Sequence, residues 1–190
     1  MEIDLINGLS IILIAISISL VLSILYYTLK TGISPMPGSA RARRCVLDHL
    51  TRISEQHPDQ SLTITEAGSG WGHLVIPVAL RFPQHKITGY ELSWLPFIIC
   101  RFLKLILQLD NLTLHRQDFL IADLSSSDII TCFLYTEGMS KLRQSLEKQD
   151  CLPRWLISIC FALPGYQPEH TQRLNDLYKT PVYFYLMPEN

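Results

Sequence analysis

The sequence predicts an α/β domain built on a doubly wound, mostly parallel sheet and preceded by one N-terminal transmembrane helix. Three observations support this prediction. Residues 5–29 contain no charged side chain. After them, short apolar runs typical of strands alternate with amphipathic helical patterns. A glycine-rich turn, Gly68-Ser69-Gly70-Trp71-Gly72, follows the first of these strands. Glycine turns between a strand and a helix are typical of folds that bind nucleotides.

The length and composition of the chain exclude several classes of protein. A chain of 190 residues accommodates one domain of ordinary size. The net charge of -1 argues against nucleic-acid binding through phosphate contacts. The 48% apolar content excludes extensive disorder. The five cysteines and six histidines show no zinc-ligand spacing. We therefore expect a reducing compartment, no disulfide scaffold and no metal site.

The predicted transmembrane anchor occupies residues 1–30. Its 25 uncharged residues would span about 37 Å as a helix, and a bilayer needs about 20 apolar residues. A cleaved signal peptide begins with positive charge, whereas this chain begins Met1-Glu2-Ile3-Asp4. A buried globular helix is the other alternative. Basic residues follow the segment and none precedes it, so the positive-inside rule places the C-terminal domain on the cytoplasmic side.

The segment after the anchor leads into the domain. Residues 31–44 form a basic linker containing proline and glycine, together with the start of the first helix, and residues 45–190 form the domain. The predicted helices are Ala40–Glu55, His73–Phe82, Trp94–Leu109 (with Ser93 as N-cap) and Gly138–Lys148. The predicted strands are Leu62–Ala67, Lys86–Leu92, Leu112–His115, Ser127–Tyr135 and Arg154–Leu163, then a hairpin of Gln172–Tyr178 and Val182–Met187 that turns at Thr180-Pro181. This alternation is Rossmann-like, and its ligand should lie at the carboxyl ends of the strands.

The glycine turn has the pattern E-x-G-x-G-x-G, from Glu66 to Gly72. It differs from the dinucleotide fingerprint GxGxxG, because His73 stands at the sixth position. The second strand ends at Glu91, whose carboxylate can accept both hydroxyls of a ribose. Asp118 follows the third strand.

These motifs resemble the class I S-adenosylmethionine methyltransferases. The resemblance implies that S-adenosylmethionine is the cofactor and that the glycine turn faces its methionine part. The acid after the second strand would hold the ribose, and the acid after the third would reach the adenine amine. The cofactor-binding residues implied in this way are Glu66, Gly68, Ser69, Gly70, Gly72, Glu91, Asp118 and Phe119.

A closer resemblance is to the small membrane-anchored lysine methyltransferases of the adenine nucleotide carrier and ATP synthase c-subunit type, with their bacterial relatives. The matching pieces are Ser34–Pro37, the Gly-Tyr-Glu-Leu of 89–92, Tyr135–Met139 and Phe161–Pro168. The resemblance implies a protein-lysine substrate at a membrane, which is the bacterial inner membrane or, in a eukaryote, the mitochondrial one. Trp71 departs from the family, which commonly has Asp there.

Methyl transfer requires a nucleophile in line with the bond from sulfur to carbon, and an amine nucleophile must first lose its proton. Tyr135 and Glu137, after the fourth strand, are the candidate catalytic residues. Their structural alternatives are a strand-end aromatic residue and an acid in the first turn of a helix. Two other functions stay open: methylation of a lipid or small molecule, and a catalytically silent membrane scaffold.

The predicted helix Trp94–Leu109 is unusually apolar. It either packs on the sheet with its few charges facing water, or also contacts the bilayer surface or a membrane-embedded substrate.

Overall fold

The computed structural model describes residues 39–149 and 152–188, together with residues 8, 10–15, 17–19, 21, 22 and 25. The chain divides into two compact units, Met1–Met36 and Pro37–Asn190. The described residues of the first unit are helical. Much of the predicted anchor, and residues 31–38 of the predicted linker, lie outside the described residues. Within the part of the chain that is described, no helix combines the length and apolar character needed to cross a bilayer.

The second unit alternates helices and strands in the predicted order. Its helices are α1 (Ala40–Gln56), α2 (Val75–Arg81), α3 (Trp94–Ile106) and α4 (Thr136–Lys148), with a 3₁₀ turn at Phe119–Ile121. Its strands are β1 (Thr63–Ala67), β2 (Lys86–Tyr90), β3 (Leu112–His115), β4 (Ile129–Cys132), β5 (Trp155–Ile159), β6 (His170–Arg173) and β7 (Pro181–Leu186).

The seven strands form one sheet in the order β3-β2-β1-β4-β5-β7-β6. The first five strands are mutually parallel, and β7 pairs antiparallel with both β5 and β6. The predicted fold of this domain, a doubly wound and mostly parallel sheet, is confirmed. Two core clusters cover opposite faces: Ile129 joins the cluster containing α1 and α2, whereas its neighbour Ile130 joins the cluster containing α4.

Several predicted boundaries were wrong because local backbone geometry overrides apolar patterning. β5 ends at Ile159 rather than Leu163, since Cys160 has a positive φ of 73°. Helix α3 ends at Ile106, and Gln108 has φ 51°. Helix α2 begins two residues later than predicted, because the glycine turn extends further. Apart from the first strand of the C-terminal hairpin, the remaining strands and helices differ from the prediction by about three residues or fewer at either end, and Leu112–His115 is confirmed as predicted.

The predicted C-terminal hairpin is correct in its pairing but wrong in its first strand. That strand is His170–Arg173, and residues 174–180 form the connection. Pro181 is the first residue of β7 rather than part of the turn. A proline is tolerated there because the first residue of a strand need not donate a ladder hydrogen bond.

Gly72 allows α2 and α3 to approach each other at the end of the glycine turn. Its φ is 82°, and a Cβ at this position would lie 2.7 Å from the Cys100 sulfur and 2.9 Å from Cγ1 of Ile76. Cys100 is fully buried on α3, and burial raises the pKa of its thiol to about 12. The neutral thiol therefore acts as an apolar group against Gly72.

Replacing Gly72 with Ala should lower the free energy of unfolding by about 2–4 kcal/mol, from backbone strain and overpacking. Gly70→Ala is the matched control, because a Cβ at Gly70 meets no atom within 4 Å although φ is again positive. Urea unfolding of both variants measures the difference. Equal destabilisation would contradict the packing argument, and Cys100→Ala should partly rescue only the Gly72 variant.

Candidate active site

The candidate site lies at the edge of the sheet where β1, β2, β3 and β4 end. β1 pairs with β2 on one side and with β4 on the other, so the order of strands reverses at this point. In an open parallel sheet, a ligand binds in the crevice outside the carboxyl ends of the strands at such a switch point. Glu66 lies near the end of β1, and the other residues predicted from the sequence each follow one of these four strands.

Backbone hydrogen bonds fix the glycine turn against the end of β2. The N–H groups of Gly68 and Ser69 both donate to the carbonyl of Tyr90, at 3.1 and 2.8 Å. Gly68, Gly70 and Gly72 all have positive φ. The open space beside Gly70 allows a ligand to approach the backbone closely, and any side chain at this position would occupy that space.

Glu91 joins the glycine turn to the start of α3. Its Oε2 accepts a hydrogen bond from the N–H of Gly70 at 2.8 Å, and its Oε1 accepts one from the N–H of Ser93 at 2.6 Å. An ionised carboxylate accepts about four hydrogen bonds, so each oxygen keeps capacity for one more. That remaining capacity fits the two adjacent hydroxyls of a ribose.

Glu66 is buried beneath the turn. The N–H of Val75, at the start of α2, donates to its carboxylate, whereas Oε2 has no hydrogen-bond partner among the described residues. Burial raises the pKa of Glu66 well above its usual value, and the negative charge of Glu91 adds to the increase. The hydroxyl of Ser69 is also buried without a partner there. Unpartnered buried polar atoms are rare in native proteins, and two of them beside one glycine turn fit a site that a polar ligand completes.

Asp118 and Phe119 begin the 3₁₀ turn after β3. Oδ1 of Asp118 accepts a hydrogen bond from the N–H of Leu120 at 3.0 Å, so this carboxylate caps the turn. Phe119 is half-buried and packs against the core cluster that contains α4. Asp118 therefore has a structural role beside its predicted contact with adenine.

Tyr135 and Glu137 lie at the start of α4. Tyr135 is half-buried and occupies the N-cap position of this helix. Glu137 is exposed and forms an ion pair with Lys141 at 2.6 Å. The hydrogen bond from Lys141 and its positive charge, together with a hydrogen bond from Tyr135, lower the pKa of Glu137. A carboxylate held in its charged form attracts a cation better than it accepts a proton at neutral pH.

Several contacts at this edge of the sheet cannot be predicted from the sequence, because backbone groups that are common to all residue types make them. The backbone groups involved are the carbonyl of Tyr90 and the N–H groups of Gly70, Val75 and Ser93. Ser93 is the N-cap residue of α3, as predicted, but its hydroxyl makes no capping hydrogen bond. Among the described residues, no group of three or more His, Cys, Asp or Glu is arranged to hold a metal ion.

Solved structures with the same fold include several methyltransferases. An RNA methyltransferase from Salinibacter ruber, in complex with S-adenosyl-L-homocysteine, matches with a TM-score of 0.64 and 23% identity over 82% of this chain and 95% of its own. A putative methyltransferase, yhhF, from Escherichia coli has a TM-score of 0.61 and 11% identity over 79% of this chain and 88% of its own. Magnesium protoporphyrin IX methyltransferase from Synechocystis, with S-adenosylmethionine bound, has a TM-score of 0.57 and 18% identity over 75% of this chain and 78% of its own. A comparison with curated proteins gives no significant match.

The fold and its glycine turn define a class I methyltransferase that uses S-adenosylmethionine. The ANTKMT methyltransferase domain matches residues 66–170, and this match covers more than half of the sequence. The chain therefore belongs to the ANTKMT methyltransferase domain family. The matched region begins at Glu66, the first residue of the E-x-G-x-G-x-G pattern.

Glu91→Ala should weaken binding of S-adenosylmethionine about 100-fold, because two hydrogen bonds to a charged group are lost. Titration calorimetry with S-adenosylmethionine and with S-adenosylhomocysteine measures the effect, and circular dichroism confirms folding. Glu137→Ala is the control, since this exposed carboxylate contacts Lys141 rather than the glycine turn. Unchanged affinity in a folded Glu91→Ala protein would contradict the assignment of the ribose site.

Proposed function

We propose that this enzyme transfers a methyl group from S-adenosylmethionine to a lysine of a membrane-associated protein. The family match from Glu66 to His170, which includes the glycine turn and Glu91, is the observation that carries the proposal. The resemblance to membrane-anchored lysine methyltransferases supports the choice of lysine. The exposed carboxylate of Glu137 supports it too, because its negative charge suits an approaching ammonium group.

The cofactor would be held by groups that the fold has already oriented. Glu91 would accept the ribose hydroxyls, and Asp118 would lie toward the adenine. Glu66 would face the methionine part, because its unpartnered Oε2 suits the cationic amino group of that moiety. A cation there would favour the charged form of Glu66, whose pKa burial raises. When bound, the cofactor supplies an electrophilic methyl group on a sulfonium ion.

The chain's own residues would position the substrate amine and assist loss of its proton. Glu137 would attract the lysine ammonium, which would compete with Lys141 for its exposed carboxylate. Tyr135 is half-buried at the same edge, and its phenolic oxygen would accept a hydrogen bond from the substrate amine and so orient it, while the proton that the amine loses would pass to solvent water. In this proposal Glu137 helps to bind the substrate lysine, and Tyr135 orients the amine for the step in which it loses its proton.

We expect the chain to methylate a protein lysine when the full chain is incubated with membranes and isotopically labelled S-adenosylmethionine. Protein and lipid are separated afterwards, and methyl-lysine is sought in the protein hydrolysate. Glu137→Ala should raise the KM for the protein substrate more than it lowers kcat, whereas Tyr135→Phe should mainly lower kcat. Label in the lipid fraction would identify a lipid methyltransferase instead. Tight cofactor binding without transfer to any acceptor would favour the silent scaffold.

We also propose that residues 1–30 anchor the chain in a membrane, with the C-terminal domain on the cytoplasmic side. The uncharged run of residues 5–29 supports the anchor, and the basic residues that follow it support the orientation.

The double substitution Ile12→Asp and Ile14→Asp should release the chain from membranes during alkaline carbonate extraction. Each aspartate near the centre of a spanning helix costs about 3 kcal/mol. The matched control is Leu177→Asp with Leu186→Asp, which introduces the same charge at exposed leucines of the second unit. Equal release of both variants, or extraction of the unmodified chain, would refute the anchor.

A further inference from the structure

Helix α3 presents a row of large apolar side chains to solvent. These are Trp94, Ile98, Phe102, Leu105 and Ile106, with exposed fractions of 52%, 48%, 60%, 75% and 58%. Spacings of three and four residues place them along one side of the helix. We call this surface the α3 face.

The α3 face is not needed to hold the helix on the domain. Phe97 and Cys100 are the residues that α3 buries, and Cys100 packs against Gly72. A helix attached in this way by one side ordinarily shows polar residues on the other. Clustered exposed apolar side chains on a folded domain indicate a surface that contacts a membrane or another protein.

All the charged residues of helix α3 are positive. Trp94–Ile106 contains no acidic residue, and it carries Arg101, which is exposed, and Lys104, which is half-buried. The Arg116 guanidinium, from the segment after β3, lies 4.5 Å from the centre of the Trp94 ring. An apolar helix side with tryptophan and basic residues is typical of a helix that lies in the headgroup region of a bilayer.

We propose that the α3 face docks onto a bilayer surface that contains anionic phospholipid. Charge complementarity selects this occupant over a second copy of the chain. Two α3 faces packed together would bring Arg101 and Arg116 of both copies into one interface without a carboxylate from α3. Lipid phosphates, in contrast, neutralise these residues while the apolar side chains enter the boundary between headgroups and acyl chains.

Docking would place the candidate active site beside the membrane surface. Trp94 begins the α3 face, and the N–H of the preceding Ser93 is bonded to Glu91. The ribose-binding end of the cleft and the docking surface therefore share one short segment. This consequence rests on the proposed function, whereas the docking itself requires no methyl transfer.

The test measures lipid contact of Trp94 in the full chain. The chain is reconstituted in vesicles whose phospholipids carry bromine on the acyl chains, with or without anionic phosphatidylglycerol. Bromine quenches tryptophan at close contact, and the difference between the unmodified chain and Trp94→Phe isolates the emission of Trp94. We expect strong quenching of that emission in anionic vesicles and weaker quenching in neutral ones.

Leu105→Glu should abolish most of the Trp94-dependent quenching. Leu177→Glu is the matched control, because it introduces the same charge at a leucine that is 88% exposed outside α3. Trp94 emission that bromolipid does not quench would overturn the proposal, as would equal quenching in both variants. A dimer that Leu105→Glu dissociates, with Trp94 protected from bromolipid, would assign the face to a second copy instead. None of these readouts depends on cofactor binding or turnover.

Discussion

The bridge that Glu91 makes between Gly70 and Ser93 is the interaction on which the site depends. One carboxylate fixes the middle of the glycine turn and the first residue before α3, at 2.8 and 2.6 Å. Bonds from N–H groups to a carboxylate are among the stronger hydrogen bonds in proteins. The bridge therefore orients the turn, sets the start of α3 and leaves acceptor capacity for a diol. The geometry of the turn and the placement of α3 therefore depend on a single side chain, which we also propose as the ribose-binding group.

The burial of Glu66 is a second constraint on the site. In contrast to Glu91, this carboxylate has one oxygen without a hydrogen-bond partner among the described residues. Its carboxylate accepts the N–H of Val75 and so helps begin α2, but Oε2 is left without a partner in the described structure. A buried acid in this condition favours the protonated form. The turn thus presents buried polar atoms that a polar ligand would satisfy, and the carboxylate of Glu66 favours a ligand that carries a cationic group.

The order of elements was predictable because burial on both faces of the sheet leaves apolar runs in its strands. The grouping of Glu66, Gly70 and Glu91 was predictable because the carboxyl ends of neighbouring parallel strands meet at one edge of the sheet. Boundaries were less predictable. Cys160 ends β5 through a left-handed backbone that cysteine rarely adopts, so the apolar run continued past the real end of the strand.

The contacts that complete the site could not be predicted, because they depend on tertiary packing and on backbone groups. No pattern indicates that Gly72 faces Cys100, 28 positions along the chain, or that Ser93 contributes its N–H instead of its hydroxyl. The roles of Asp118 and Glu137 were open for a similar reason. Each forms a local structural contact, with Leu120 and with Lys141, that a sequence cannot separate from a role in binding.

The composition of α3 follows from its position once the two sides of the helix are considered separately. The side toward the sheet is constrained by packing, since Cys100 must fit against Gly72, a residue without a side chain. The opposite side has no such packing constraint, yet it carries Phe102 and Leu105 where water would favour polar residues. The proposed contact with a bilayer would account for these exposed apolar residues. If the proposed anchor holds the chain in a membrane, the domain is confined near one surface, and even a weak affinity of α3 for lipid would suffice to hold it in one orientation. A substrate lysine that emerges from the same membrane would then lie close to the cleft.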